Sequence, residues 1–149
     1  MDAISAKAES IVRASPSAVF NAFFDAEKMS LFWFTRRDEG LQEGKTTSWF
    51  VGKAKDAYEI EVNVIEIVES KTIRINWGFG EHVTQVLWSI QGTDEGHSIL
   101  TIEETGFKGT DEQIIAKALD STGGFNQVTI ALKAYLEHDA IINVVTDHP

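Results

Sequence analysis

The carboxylate of Glu104 is the group whose position most suggests chemistry. It keeps step with Leu100 and Ile102 in an alternating run, so a regular strand would turn all three side chains to one buried face. A buried carboxylate without a partner is costly, so Glu104 should find a hydrogen-bond donor or stay neutral. Arg36 or Arg37 is a candidate partner, and each is also a candidate contact for an acidic ligand head group. The alternative is a solvated strand end with both arginines in water.

Other reactive groups give weaker signals. His82 lies near Trp77 and Phe79 and can in principle act as an acid or base, although a lone histidine is more often structural or exposed. We expect no metal, because no two of the four histidines have the close spacing of a ligand pair: His82, His97, His138 and His148. The absence of cysteine excludes disulfides and a cysteine nucleophile. Hydrolase and phosphate-binding motifs are absent too, and no cofactor is expected.

Aromatic residues form the second candidate set. They fall in segments expected to face the concave side of a sheet or its mouth: Trp33, Phe34, Trp49, Tyr58, Trp77, Phe79, Trp88 and Phe125. A cavity lined in this way binds an apolar or aromatic molecule by burial, worth about 25 cal/mol per Å². We expect further lining from Ile60, Val62, Leu100, Ile102, Glu104, Thr122 and Thr129, and polar groups at the mouth from Arg36, Arg37 and His82. Ordinary core packing is the alternative for each ring taken singly.

The elements that position these residues can be predicted from patterns. Alternation from Ile4 to Val12 predicts a strand, Ser15-Pro16 a helix start, and Asp25 the cap of a second short helix. A parity shift near Ile65 predicts a β-bulge, or else a strand end with its own partner. Five further strands are predicted at 45–51, 58–68, 71–77, 82–90 and 98–104, with a hairpin loop at 92–96.

The C-terminal segment predicts one long helix. Thr110 and Gln113 have the spacing of a capping box. The apolar stripe that follows predicts about 28 residues, or about 40 Å, of helix. Gly123-Gly124 should cost about 2 kcal/mol relative to two alanines, so we expect the pair to let the helix approach the sheet or widen the cavity, and to lie beside bound ligand. The alternative is a break into two helices.

Composition narrows the function. The chain has 149 residues, which predicts one domain spanning 1–149. Its net charge of −10 opposes binding to nucleic acid. We expect no membrane insertion, because no apolar run is long enough to form a membrane-spanning helix. We also expect a cytoplasmic protein, which is a monomer or weak dimer.

The opening run Ser15-Pro16-Ser17-Ala18-Val19-Phe20, followed by Asp25 and Trp33-Phe34, resembles the START-like superfamily that contains the activator of heat-shock-protein-90 ATPase family. The runs at 101–107 and 124–137 extend the resemblance to almost the whole chain. It departs from the family in having Phe125 in place of a tryptophan and Asp139 in place of a helix-ending glycine. The resemblance implies an α+β helix-grip fold: a curved antiparallel sheet of about six strands, two short helices after the first strand, and a long C-terminal helix packed across the sheet.

Three functions are compatible with this resemblance. The first is non-enzymatic binding of a small hydrophobic molecule between sheet and helix. The second is a cochaperone-like interaction with a chaperone in the stress response. The third is an enzyme that uses Glu104 in its cavity.

Overall fold

A computed structural model describes residues 3–33, 36–37, 40–51 and 58–147. Phe34, His148 and the side chain of Arg36 lie outside the described part of the chain. The elements in chain order are strand β1 (Ala6–Val12), helices α1 (Pro16–Phe24) and α2 (Ala26–Met29), strands β2 (Arg36–Arg37), β3 (Thr46–Val51), β4 (Tyr58–Val68) and β5 (Thr72–Trp77), a 3-10 turn (Gly80–His82), strands β6 (Thr84–Gly92) and β7 (Ser98–Thr105), and helix α3 (Asp111–His138).

The strands form a single antiparallel sheet in the order β1-β7-β6-β5-β4-β3-β2. Six of them are the long strands that were predicted, and β2 adds two residues at one edge. Two short helices follow β1, and α3 packs across the sheet with its closest approach to β1. The predicted α+β helix-grip fold is therefore confirmed.

The predicted bulge is present in β4. The pairing register with β5 shifts between Val64 and Glu66, which leaves Ile65 out of step. Before the shift, Val62 and Val64 are fully buried, as their alternation predicted. The expectation that Tyr58 shares this buried face is wrong, because Tyr58 is the first residue of the strand and its side chain is 62% exposed.

A tight turn replaces the start of one predicted strand. His82 was expected on β6, but it closes the 3-10 turn, and β6 begins at Thr84. Gly78 and Gly80 both adopt positive φ, at 111° and 57°, a conformation that suits glycine and interrupts regular pairing. His82 therefore lies at the mouth of the sheet rather than on a strand.

The two short helices are capped as predicted. The Ser15 hydroxyl accepts from the Ala18 amide at 3.2 Å, with Pro16 in the first turn. Asp25 ends α1 with an extended backbone, and its carboxylate accepts from the amides of Glu27 at 2.9 Å and Lys28 at 3.2 Å. One aspartate thus ends the first helix and starts the second, which produces the elbow between them.

Helix α3 runs unbroken for 28 residues. Its capping box is complete, with the Gln113 amide donating to the Thr110 hydroxyl at 3.2 Å and the Thr110 amide to the Gln113 side chain at 2.9 Å. Asp139 ends the helix in the left-handed conformation with φ of 50°, which aspartate tolerates better than most residues. In the described part of the chain, no helix has the length and hydropathy that a membrane crossing requires.

The glycine pair of α3 does not have the predicted role. Gly123 and Gly124 are exposed, and a Cβ built on either would meet no atom within 4 Å apart from the adjoining helix backbone. The buried positions Ala118, Phe125 and Leu132 form a different face of the helix, which packs against the sheet. The pair therefore neither shortens the distance to the sheet nor enlarges a cavity.

A charged cluster joins the end of α3 to the end of β1. Glu137 is 2.8 Å from the Lys133 ammonium, and it accepts from the Arg13 amide at 3.1 Å. Lys133 also donates to the carbonyl of Ile11 at 2.5 Å. Partial burial raises the pKa of Glu137, but the hydrogen bonds from Lys133 and Arg13, with their positive charges, outweigh it and hold that pKa below its ordinary value. The cluster fixes the helix end to the edge strand.

Candidate functional site

A cluster of aromatic rings fills the centre of the concave face. The Trp33 ring centroid lies 5.9 Å from that of Trp49, 6.1 Å from Trp77 and 5.8 Å from Trp88. Phe125 of α3 stacks on Trp77 with ring centroids 6.0 Å apart and an interplanar angle of 11°. Apart from Trp77, which is half-buried, these rings are at most 6% exposed. They pack on one another, as the core-packing alternative describes.

Several other residues predicted to line a cavity also lie in this packed region. Val62, Leu100 and Ile102 are fully buried strand residues. The hydroxyls of two helix residues are taken up by the backbone of α3, because Thr122 donates to the Ala118 carbonyl at 2.7 Å and Thr129 to that of Phe125 at 2.8 Å. None of these five side chains lines the pocket described next.

A pocket of about 350 Å³ lies beside the ring cluster, where strand ends meet the N-terminal half of α3. Part of its lining was predicted: Tyr58, Ile60, Trp77, Phe79, His82 and Glu104. The rest comes from neighbouring strands, the loop after β7 and α3: Glu59, Gly78, Thr84, Phe107, Lys108, Lys117, Asp120 and Ser121. The structure thus brings six of the predicted residues together at one end of the sheet.

Three side chains from adjoining strands form a polar group in the pocket wall. Glu104 is 4% exposed, and its Oε2 accepts hydrogen bonds from Trp77 Nε1 at 3.0 Å and from the Thr84 hydroxyl. The pairing brings them together, since Trp77 pairs with Thr84 across β5 and β6. Glu104 follows on β7 as the partner of Val86. Of the two alternatives that the sequence left open for Glu104, the structure has the inward-facing carboxylate with hydrogen-bond donors, and the donors are Trp77 and Thr84.

The second carboxylate oxygen of Glu104, Oε1, lacks the hydrogen bonds that Oε2 accepts. Oε1 is buried, and no described residue donates a hydrogen bond to it. None of the ion pairs between described residues includes Glu104. One acceptor of a pocket-lining side chain is therefore unsatisfied, a condition that is uncommon for buried polar atoms.

Arg37 is not the partner of Glu104, which corrects one of the sequence-based alternatives. Its guanidinium is 7% exposed, donates to the Phe24 carbonyl at 2.5 Å, and lies 5.6 Å from the ring centre of Trp49. Burial lowers the pKa of Arg37 to about 10, although the charge of Asp25 acts in the opposite direction. The arginine packs under the ring cluster, and it does not line the pocket.

The rim of the pocket combines aromatic and charged side chains. Tyr58 is 62% exposed and Phe79 is 52% exposed. Partial burial, with a further contribution from the Asp120 charge, raises the pKa of Tyr58 above its ordinary 10.0. Across the opening, Lys117 of α3 donates to the Lys108 carbonyl at 2.8 Å and so holds the loop after β7 against the helix.

Of the pocket residues that the sequence analysis missed, Thr84 had a usable signal, whereas Phe107 and Lys117 did not. Thr84 has the same parity as the buried Val86 and Trp88, so a polar residue on the inner face was detectable. Phe107 enters the pocket only because Gly106 turns the chain at a positive φ of 91°, and no alternation extends through that turn. Lys117 lies one residue outside the apolar stripe of α3. That it lines the pocket follows only from how the helix is placed on the sheet.

A second depression lies on the outer face of the sheet. Its volume is about 590 Å³, and its lining combines the apolar Pro16, Ile90 and Ile99 with exposed polar residues such as Glu9 and Lys71. It contains no buried charged side chain to hold a ligand. Across the described ranges, no three histidine, aspartate or glutamate side chains are grouped as metal ligands. The pocket at Glu104 is therefore the better candidate site.

Comparisons with known proteins agree with the fold. The sequence model of the family described as activator of Hsp90 ATPase homolog 1-like protein matches residues 13–137. No curated protein matches the chain. A solved structure from Staphylococcus saprophyticus is 27% identical, covers 93% of this chain and 96% of its own, and superposes with a TM-score of 0.76.

Two more distant structures share the fold. A protein from Mesorhizobium loti is 16% identical, with 92% of this chain and 99% of that chain covered and a TM-score of 0.76. The solution structure of the Aha1 dimer from Colwellia psychrerythraea is 14% identical, with 91% and 97% covered and a TM-score of 0.74. At these identities the similarity concerns the fold alone.

Proposed function

Because the chain belongs to the activator of Hsp90 ATPase homolog 1-like family, as its sequence predicted, we propose that it uses this fold to bind a small hydrophobic or aromatic molecule. The binding site is the pocket at Glu104. The observation that carries the proposal is a concave space of about 350 Å³ with aromatic walls and one buried polar group. Natural small-molecule sites combine these two features, since apolar walls supply affinity and a few polar atoms fix orientation.

The pocket is a better site than the ring cluster for two reasons. Binding between Trp33, Trp49 and Trp88 would require rings that already touch to separate, which costs their packing energy. The pocket needs no such rearrangement, because its space is already present beside the half-buried Trp77. We therefore assign Trp77 to ligand contact and the other three tryptophans to the support behind it.

The proposal is tested by nitrogen–proton correlation NMR during titration with fatty acids, a sterol, a flavonoid and simple ring compounds. We expect shifts of the Trp77 indole resonance and of the amides of Phe79, Glu104 and Phe107. Amides on the outer face of the sheet, such as that of Thr101, should not move. If no compound shifts the pocket resonances up to its solubility limit, the proposed function is wrong.

A matched pair of variants separates pocket binding from adsorption to the surface. Ser121→Trp places a large ring at the pocket wall and should abolish the shifts. Asn126→Trp adds the same ring to an exposed position of α3 outside the pocket and should leave them intact. Equal binding by both variants would place the ligand elsewhere.

A cochaperone-like role is the second candidate. It is favoured by the family description, which names an activator of Hsp90 ATPase, and by similarity to the structure titled as the Aha1 dimer. We would measure ATP hydrolysis by an Hsp90-type chaperone with and without the protein. Stimulation that survives Ser121→Trp would show a surface function independent of the pocket, whereas no stimulation at saturating protein would leave ligand binding alone.

A further inference from the structure

The hydrogen bonds of Glu104 identify the kind of polar group that a ligand would carry. The two hydrogen bonds that Glu104 accepts from described residues, from Trp77 Nε1 and from the Thr84 hydroxyl, both end on Oε2. Oε1 is buried and receives no hydrogen bond from any residue that the structure describes. A buried acceptor without a donor is destabilising by about 1–3 kcal/mol, so a bound molecule that supplies the donor removes that cost.

The charges around the pocket favour a hydrogen-bond donor that is positively charged. The lining contains three carboxylates, Glu59, Glu104 and Asp120, against two lysines, Lys108 and Lys117. Lys117 already donates to the Lys108 carbonyl, and it forms no ion pair with Glu104 among the described residues. The whole chain carries a net charge of −10, which attracts cations and repels anions.

The walls of the pocket suit a ring system that carries such a group. Tyr58, Trp77 and Phe79 contribute aromatic rings to the lining. Aromatic faces attract ammonium groups as well as apolar rings. A volume of about 350 Å³ is near the small end of natural ligand sites, which span about 300–1,000 Å³. A small molecule of one or two rings fits this description.

We infer that the ligand is a small ring-containing molecule that donates a hydrogen bond to Oε1 of Glu104, with an ammonium bound more tightly than a hydroxyl and a carboxylate excluded. This inference rests on the proposed function, because it assigns the polar chemistry of the same pocket. It contradicts the earlier expectation of an acidic head group held by Arg37, whose guanidinium packs beneath Trp49 and away from the pocket lining.

Four probes that differ in one group test the inference on the wild-type protein: naphthylethylamine, naphthylethanol, ethylnaphthalene and naphthylacetate. Affinities are measured from the Trp77 indole resonance. The amine should bind about ten- to a hundred-fold more tightly than the hydrocarbon, as expected for a hydrogen bond to a charged group. The alcohol should fall between them, and the carboxylate should bind most weakly.

The outcomes distinguish the inference from the proposed function. If the four probes bind within about threefold of one another, or if the carboxylate binds best, the inference is wrong while pocket binding stands. If none of the probes moves the pocket resonances, the proposed function fails. An order of amine, alcohol, hydrocarbon and carboxylate supports both.

For the variant Glu104→Gln, we expect the order of affinities for the amine and the carboxylate probe to reverse. Its amide oxygen must accept from Trp77, which only donates, so the amide N–H group takes the position of Oε1. The preference should then move from amine to carboxylate. Glu103→Gln removes the same charge from the opposite face of β7 and should keep the wild-type order. An unchanged order in a folded Glu104→Gln protein would overturn the inference, and if that variant does not fold, the wild-type series decides.

Discussion

The hydroxyl of Thr84 holds a buried carboxylate in place. It donates to Glu104 Oε2 from the adjoining strand, and both residues are buried. Thr84→Val keeps the shape of the side chain and removes the donor. Hydrogen bonds to charged groups contribute about 1.5–3 kcal/mol, so we expect a loss of that size in the free energy of unfolding. Urea denaturation followed by circular dichroism measures it.

The matched control is Thr47→Val. Thr47 is also a buried strand threonine, at 6% exposure, but its hydroxyl has no hydrogen-bond partner among the described residues. Replacing an unsatisfied buried hydroxyl by a methyl group is neutral or stabilising. Equal losses in the two variants would show that the bond to Glu104 contributes nothing.

At the scale of residues, the sequence indicated which way the Glu104 side chain points but not which residues donate hydrogen bonds to it. Glu104 was predicted to face inward because Leu100 and Ile102 share its parity, and this is local information. Its donors, Trp77 and Thr84, lie 27 and 20 positions away along the chain and meet it only through strand pairing. Arg37 was a candidate partner of Glu104 because of its charge alone. Its actual position depends on the pairing of β2 with β3, which places the guanidinium on the ring of Trp49.

At the scale of elements, α3 contains a correctable weakness. Gly123 and Gly124 are exposed, lie in mid-helix, and have open space where a methyl group would be added. Each glycine costs about 0.8–1 kcal/mol relative to alanine in a helix interior. Gly123→Ala and Gly124→Ala should therefore each raise the free energy of unfolding by up to about 1 kcal/mol, measured by thermal denaturation, without changing probe affinity.

Gly78→Ala serves as the comparison. That glycine has φ of 111°, and an added Cβ would lie 2.8 Å from the carbonyl oxygen of His82. The same change there should destabilise the protein, since both the backbone conformation and the space oppose it. Destabilisation by the α3 substitutions as well would mean that the glycine pair has a role in packing after all.

The contact between α3 and β1 should make stability depend on pH. The pKa of Glu137 is lowered in the folded protein, so its charged form stabilises the fold at a pH above its ordinary value of 4.5. That contribution is lost as the pH falls through the lower folded value. Glu137→Gln should cost about 0.5–1 kcal/mol at neutral pH, and the difference from wild type should shrink on acidification below 4.5.

The measurement is urea denaturation across that pH range. Asp94→Asn, in the exposed hairpin loop, removes one charge that takes no part in the ion pairs of Glu137 and so controls for net charge. A difference between Glu137→Gln and wild type that stays constant with pH would contradict the assignment.

Most elements were predictable because their signals are local. The capping box at Thr110 and the shared cap at Asp25 involve residues within three positions of each other. The bulge at Ile65 appeared as a break in alternation. The start of β6 was misplaced because Gly78 and Gly80 form a turn whose geometry depends on positive φ values, which the surrounding pattern does not reveal.

At the scale of the whole molecule, the ring cluster connects the elements. Phe125 of α3 stacks on Trp77 of β5, and Trp33 after α2 contacts rings from three strands. We propose that residues 1–149 form one cooperative domain. Far-ultraviolet circular dichroism, dominated by α3, and near-ultraviolet signals from the tryptophans should then give the same midpoint on heating. Separate midpoints would divide the chain into two units.

The location of the cavity was the least predictable property of the molecule. The positions of the aromatic residues in the predicted segments led us to expect many inward-facing rings, but whether rings enclose space or fill it depends on their packing in three dimensions. Here Trp33, Trp49 and Trp88 fill the centre. The open space lies at the end of the sheet, where Tyr58 and Phe79 are exposed.

The separation of pocket and core has an evolutionary consequence. Among the described residues, the hydrophobic core and the pocket lining share Ile60 and Trp77. Substitutions at Tyr58, Phe79 or Lys117 therefore alter the lining of the proposed binding pocket with little effect on the packing that holds the fold together. Selection for a new ligand can act on such positions in small steps, so related chains can diverge in specificity while the scaffold is inherited intact.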